Sequence, residues 1–150
     1  MKKILLALAI LAVAAVGANA QLNVGVTGTN YVIDFDSTVS GVSNGQFTGA
    51  GFQSSPTSGQ LDSDAWAGTG MSDGSFAFGG TVTSGDWARG TATTAVGTGG
   101  LYSYGSTNRQ LMIQPTATDF EPGTLTLKIQ NTTGNTVANW ALGYHLWLNN

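Results

Sequence analysis

The segment Gly41-Val42-Ser43-Asn44-Gly45 sets a serine between two glycines as a nucleophile elbow does. An acid, Asp119, and the single histidine, His145, follow it in the order serine, acid, base. In that arrangement the imidazole takes the hydroxyl proton and the carboxylate orients the imidazole, which is the chemistry of acyl transfer. The elbow works only where a strand leads into the serine and a helix leads away, because that sharp turn keeps the hydroxyl exposed. Here Gln46-Phe47-Thr48-Gly49-Ala50-Gly51 follows, and two glycines in six residues oppose helix nucleation. In a chain with 22 glycines the spacing arises readily from composition alone. The expectation is therefore no catalytic residue and no enzyme.

Two acidic pairs, Asp34/Asp36 and Asp62/Asp64, are each separated by one residue, which puts both carboxylates on the same side of a strand. Paired negative charges invite a hard cation, and loop carbonyls can complete the oxygen shell that calcium requires. Asp62 and Asp64 are the candidate calcium ligands, although no EF-hand loop pattern surrounds them and the alternative is solvated or turn-capping carboxylates. Glycoside hydrolysis needs two opposed carboxyl groups, one of raised pKa, and a chain with a single glutamate is poorly equipped for it.

Four tryptophans and four tyrosines supply rings that could stack on sugars. Trp66, Trp87 and Trp147 are the candidate binding platform, and Trp147 is the one set out of phase with its apolar neighbours. The competing use of large aromatics is to fill a core.

These side chains must be positioned by strands. Beyond the amino-terminal leader no stretch has apolar residues spaced three and four apart without glycine, so helix is not expected. Short β-branched and aromatic runs recur between Gly, Pro, Asn and Asp: Tyr31–Phe35, Gly59–Trp66, Ser75–Phe78, Asp86–Arg89, Leu101–Tyr104 and Gln110–Gln114. The clearest alternation, Thr124 to Gln130, sets Leu125, Leu127 and Ile129 on one face. Trp140 to Leu148 is expected to return beside it as an antiparallel partner after the turn Asn131 to Asn135. Strands at this spacing predict an all-β fold, an antiparallel β-sandwich of jelly-roll type.

Residues 1–20 have the three parts of a secretory leader: Lys2 and Lys3, the apolar run Ile4–Val16, and the small-residue triplet Ala18-Asn19-Ala20. The apolar run is shorter than the roughly 20 residues that span a bilayer, so a signal-peptide helix cleaved after Ala20 is expected, leaving a domain over 21–150. In that domain Arg89, Arg109 and Lys128 face eight carboxylates, which disfavours nucleic acid and anionic membrane surfaces as partners. The absence of cysteine excludes disulfides, thiol nucleophiles and lipid attachment through a thiol.

Several ordered segments carry a resemblance. They are Phe35-Asp36-Ser37-Thr38-Val39-Ser40-Gly41-Val42, Gly59-Gln60-Leu61-Asp62-Ser63-Asp64-Ala65-Trp66, Phe78-Gly79-Gly80-Thr81, Ser84-Gly85-Asp86-Trp87-Ala88-Arg89-Gly90-Thr91, and Asp119-Phe120-Glu121-Pro122-Gly123-Thr124-Leu125-Thr126-Leu127. Over most of Asn30–Leu148 the chain resembles the amino-terminal β-sandwich module of large secreted bacterial proteins of the type IX secretion class, which precedes lamin-tail, nuclease or sorting domains. The resemblance implies a non-catalytic structural or interaction module of a secreted or surface protein, with other domains of a longer chain as partners. It also implies further strands after the last aromatic one, so the domain is expected to be incomplete at its C-terminus. The alternatives are a carbohydrate-binding module with glycan partners, and a non-catalytic portion of a secreted hydrolase.

Overall fold

A computed structural model describes residues 21–145. The leader, its cleavage position Ala20, and Trp147 lie outside the described residues. Within them the chain is all-β, an arrangement of short strands in keeping with a β-sandwich.

The best-formed unit is the hairpin of β8 (Gly100–Tyr104) and β9 (Gln110–Gln114), in which Leu101 faces Ile113 and Ser103 faces Leu111. The short β7 (Thr91–Ala92) joins β8 in parallel. A second sheet has β5 (Trp66–Met71) at its centre, with β6 (Gly74–Phe76) on one side and β10 (Thr124–Leu127) antiparallel on the other. Ser72 and Asp73 form the tight β5–β6 turn, and Gly74 after it has φ 106°, a conformation that costs glycine nothing. A third sheet orders β2 (Ser43–Asn44), β4 (Gln60–Asp62) and β3 (Phe52–Gln53). Finally β1 (Leu22–Val24) runs parallel to β11 (Ile129–Asn131).

Core packing explains the aromatic content. Val42, Phe47, Phe52, Leu61, Ala65, Trp66, Met71, Phe76, Trp87 and Leu101 form one buried cluster. Phe52 and Phe76 stand 4.5 Å apart between ring centroids, and Trp87 meets Phe76 edge-on at 5.0 Å, the geometry that the ring quadrupoles favour. A side chain on Gly68 would lie 2.4 Å from the Trp87 ring, so glycine in mid-strand is what admits the indole.

The alternation predicted from Thr124 holds through Leu127: the threonines are exposed and the leucines pack on the core. At Lys128 the chain changes sheets. Its N–H donates to Ala65 O in the β5 region at 2.8 Å, and its carbonyl accepts Leu22 N–H at 3.2 Å. Ile129 therefore leaves the leucine face and is 40% exposed.

Three expected strands are not formed. Tyr31–Phe35 has no ladder partner, because Phe35 adopts φ 57° and the Asp34 carboxylate takes the N–H groups of Asp36 and Ser37, bending the chain. Asp86–Arg89 starts within a 3-10 turn, Gly85–Trp87. The described part of Trp140–Leu148 is not a strand either. The expected partners β10 and β11 pair with β5 and β1, and Trp140, Leu142 and Tyr144 are 56%, 82% and 78% exposed.

Candidate functional site

Ser43, Asp119 and His145 are not assembled. Strand β2 buries Ser43, whose hydroxyl accepts the Val39 N–H at 3.1 Å and donates to Ser37 O at 3.2 Å. Its one proton and one of its two lone pairs are thus engaged with the backbone of Ser37 and Val39. Asp119 lies elsewhere, accepting from Ser72 N–H at 2.9 Å and from the Thr116 hydroxyl at 2.7 Å. His145 belongs to the exposed segment after β11. No hydrogen bond joins any two of the three among the described residues, and 46–51 is not helical, as the elbow would require.

Three of the four paired carboxylates, those of Asp34, Asp36 and Asp62, accept backbone N–H groups. Asp34 forms the turn described above, and the Asp36 N–H leads the contacts that hold its carboxyl below the usual carboxylate value. Asp36 accepts from Gln46 Nε2 at 3.2 Å and from Arg109 N–H at 3.0 Å, tying the turn after Phe35 to the start of β9. Asp62 is buried and accepts Asp64 N–H at 3.0 Å. Burial pushes the Asp62 carboxyl up; the Asp64 N–H opposes this, the Asp64 charge adds to it, and Lys128 works against it. The adjoining carbonyls of Asp62 and Ser63 accept the N–H groups of Ala65 and Gly79. Among the described residues no group of three or more His, Asp or Glu is arranged to hold a metal ion.

Two of the three candidate stacking residues are core. Trp66 is 7% exposed and donates its indole N–H to Val42 O, while Trp87 is 1% exposed and donates to Gly74 O. Neither offers a ring face, because each is sealed by the apolar cluster it fills. Among the described residues the exposed indole is that of Trp140.

The densest polar constellation was not anticipated as such. Asp73, Asp86 and Asp119 converge on Ser72 and Arg89. Asp86 Oδ2 accepts the Ser72 hydroxyl at 2.7 Å and the Asp73 N–H at 3.0 Å, and Asp73 Oδ2 accepts the Asp86 N–H at 2.8 Å. Asp86 Oδ1 pairs with the Arg89 guanidinium, whose Nε reaches Gly99 O at 2.9 Å. A Cβ on Gly99 would stand 2.0 Å from Asp119 Oδ2, so a glycine is needed for that carboxylate to fit. The Ser72 N–H leads the bonds that hold the Asp119 carboxyl well below the usual range. The sequence signal for this cluster is slight: Asp73 and Asp86 each stand beside a glycine, in a chain of 9% charge, and Asp119 does not.

Compared with models of known protein families, with curated proteins and with solved structures, the chain matches none.

These carboxylates accept from donors on three different loops. The arrangement joins the β5–β6 turn, the 3-10 turn and the loop ahead of β10 into one rigid corner.

Proposed function

We propose that the chain is a non-catalytic structural or interaction module of an exported bacterial protein, cleaved after Ala20 and acting as a spacer or surface-presented domain beside other domains of a longer chain. One observation carries the reading: the side chains that could do chemistry, Ser43, Asp62, Asp86 and Asp119, are each engaged in bonds that hold the domain's own turns. The leader pattern and the order of the resembling segments support the exported setting. Among the described residues no helix is long and apolar enough to cross a membrane.

The test is functional screening of the exported protein together with Ser43→Ala and His145→Ala variants. The expected result is no ester hydrolysis in any of them. An esterase activity lost in both variants, with circular dichroism unchanged, would overturn the proposal.

A second reading, a carbohydrate-binding module, is favoured by Trp140 and Tyr144, which alternate along one exposed segment. A glycan array separates the two. Binding abolished by Trp140→Ala would establish the second, and a blank array the first.

A further inference from the structure

We infer that the exposed segment around Trp140, Leu142 and Tyr144 is a donor strand, which adds to the open edge of β9 in a second copy of the chain and receives that copy's strand in exchange. This deepens the interaction-module reading above, on which it rests, by naming the partner and both surfaces.

The acceptor is defined by the hydrogen bonds of its neighbour. On β8, Leu101 O accepts from Arg89 N–H at 3.1 Å and Ser103 N–H donates to Gly90 O at 2.9 Å, so both residues turn their main chain away from β9. The bonds of the hairpin therefore come from Gly100, Tyr102 and Tyr104, opposite Gln114, Met112 and Gln110. That leaves the N–H and C=O groups of Leu111 and Ile113 pointing outward, and among the described residues nothing bonds to them. At five residues β9 is the longest edge strand among the described residues. It pairs one to one without a bulge, and Gln110-Leu111-Met112-Ile113-Gln114 has neither charge nor proline, the devices that ordinarily blunt an edge. The Leu111 and Ile113 side chains pack half-buried on the core, so a strand laid alongside extends an apolar face that already exists.

The donor is the complement. Residues 136–145 form no hydrogen bond among the described residues. Trp140, Leu142 and Tyr144 recur with period two and are 56%, 82% and 78% exposed, with the small residues Ala141 and Gly143 between them. In an extended conformation beside β9, their main-chain groups meet those of Leu111 and Ile113, and their side chains continue the core face.

A second copy is the occupant because donor and acceptor lie on one chain yet are not joined within it. Two copies satisfy each other in a closed two-fold exchange that leaves neither edge over. Residues 132–144 and β9 contain no charged side chain, so the seam brings no like charges together, although eight carboxylates face three cations elsewhere in 21–131. The three donated side chains offer on the order of 400–500 Å² per copy, roughly 1,000 Å² for the exchange, which is where specific association begins.

Light scattering on the chain purified after export, across a dilution series, is expected to show a dimer that Leu142→Asp abolishes with circular dichroism unchanged. Val32→Asp, at a residue 68% exposed and outside both surfaces, should leave the dimer in place. The chain has no cysteine, so Met112→Cys can be mixed as a separate chain with Ala141→Cys or with Gly143→Cys. Oxidation should join the two chains in one of these mixtures, whichever register the pairing takes. A monomeric protein, including one in which a Met112→Cys/Ala141→Cys double variant closes on itself, overturns the exchange and leaves the spacer role standing. A dimer that survives Leu142→Asp, one lost equally with Val32→Asp, or mixtures that form no cross-link overturn it as well. The ester-hydrolysis screen tests the module reading independently of these outcomes.

Discussion

Asp73 and Asp86 exchange hydrogen bonds reciprocally, each carboxylate accepting the other's backbone N–H, at 2.8 and 3.0 Å. Thirteen residues apart, they lock the β5–β6 turn to the 3-10 turn that carries Trp87. Asp86→Ala leaves the Ser72 hydroxyl, the Asp73 N–H and the Arg89 guanidinium without their acceptor. It is expected to cost about 2–4 kcal/mol, reduced from the value for a fully buried pair because Arg89 is partly solvated. The midpoint of denaturant unfolding measures it, and an unchanged midpoint would show that the clamp contributes nothing.

Fluorescence distinguishes the tryptophans. Trp66 and Trp87 are shielded and Trp140 is open, so Trp140→Phe should reduce iodide-quenchable emission while Trp66→Phe and Trp87→Phe should not. Trp87→Ala should in addition cost about 3–5 kcal/mol, since it empties the space beside the Phe52–Phe76 pair.

Acid should act through two opposed carboxyl groups. Folding favours ionised Asp119, so the stability it supplies is complete above its ordinary value of 3.8 and is lost as pH falls below it. Burial disfavours ionised Asp62, so its penalty is present at neutral pH and relieved in acid. Asp119→Asn should destabilise the neutral protein and flatten its acid sensitivity. Asp62→Asn, which keeps the acceptor for Asp64 N–H, should leave neutral stability equal or higher. Thermal melts from about pH 7 down to about pH 2 resolve the pair. A steeper acid loss in Asp119→Asn would contradict the assignment.

Gly49 and Gly28 both have positive φ, 71° and 76°, but in different surroundings. A Cβ at Gly49 would lie 1.9 Å from Gly90 O, whereas at Gly28 nothing stands within 4 Å. Gly28→Ala should cost only the left-handed strain, about 1–2 kcal/mol. Gly49→Ala should cost clearly more, because the Gly90 N–H to Gly49 O bond at 3.0 Å must also be displaced. Similar melting temperatures for the two variants would show that the close approach is easily relaxed.

The sequence made legible whatever local chemistry decides. Gln110–Gln114 forms a strand within the expected bounds, Leu101–Tyr104 does so with Gly100 added, and Leu125 and Leu127 pack half-buried against the core as alternation requires. Trp87 and Trp66 were ambiguous because an indole fits a core and a binding face equally well, and period two cannot choose between them. The Trp140 strand failed because pairing is a property of neighbours: β10 is satisfied by β5, and β11 by a strand more than 100 positions upstream. The Asp73–Asp86–Asp119 cluster was invisible for the same reason. Its members are distant in sequence and are brought together by turns whose geometry no spacing encodes.

The parallel pairing of β1 with β11 joins Gln21 to Gln130 across 109 positions. A chain delivered amino end first, through a ribosome or a translocation pore, presents β1 at the start and must wait for almost the whole domain before its partner arrives. Closing so large a loop is a late and slow event. Until then the first strand's edge remains open, so the thread stays unlatched during delivery and the domain shuts only behind it.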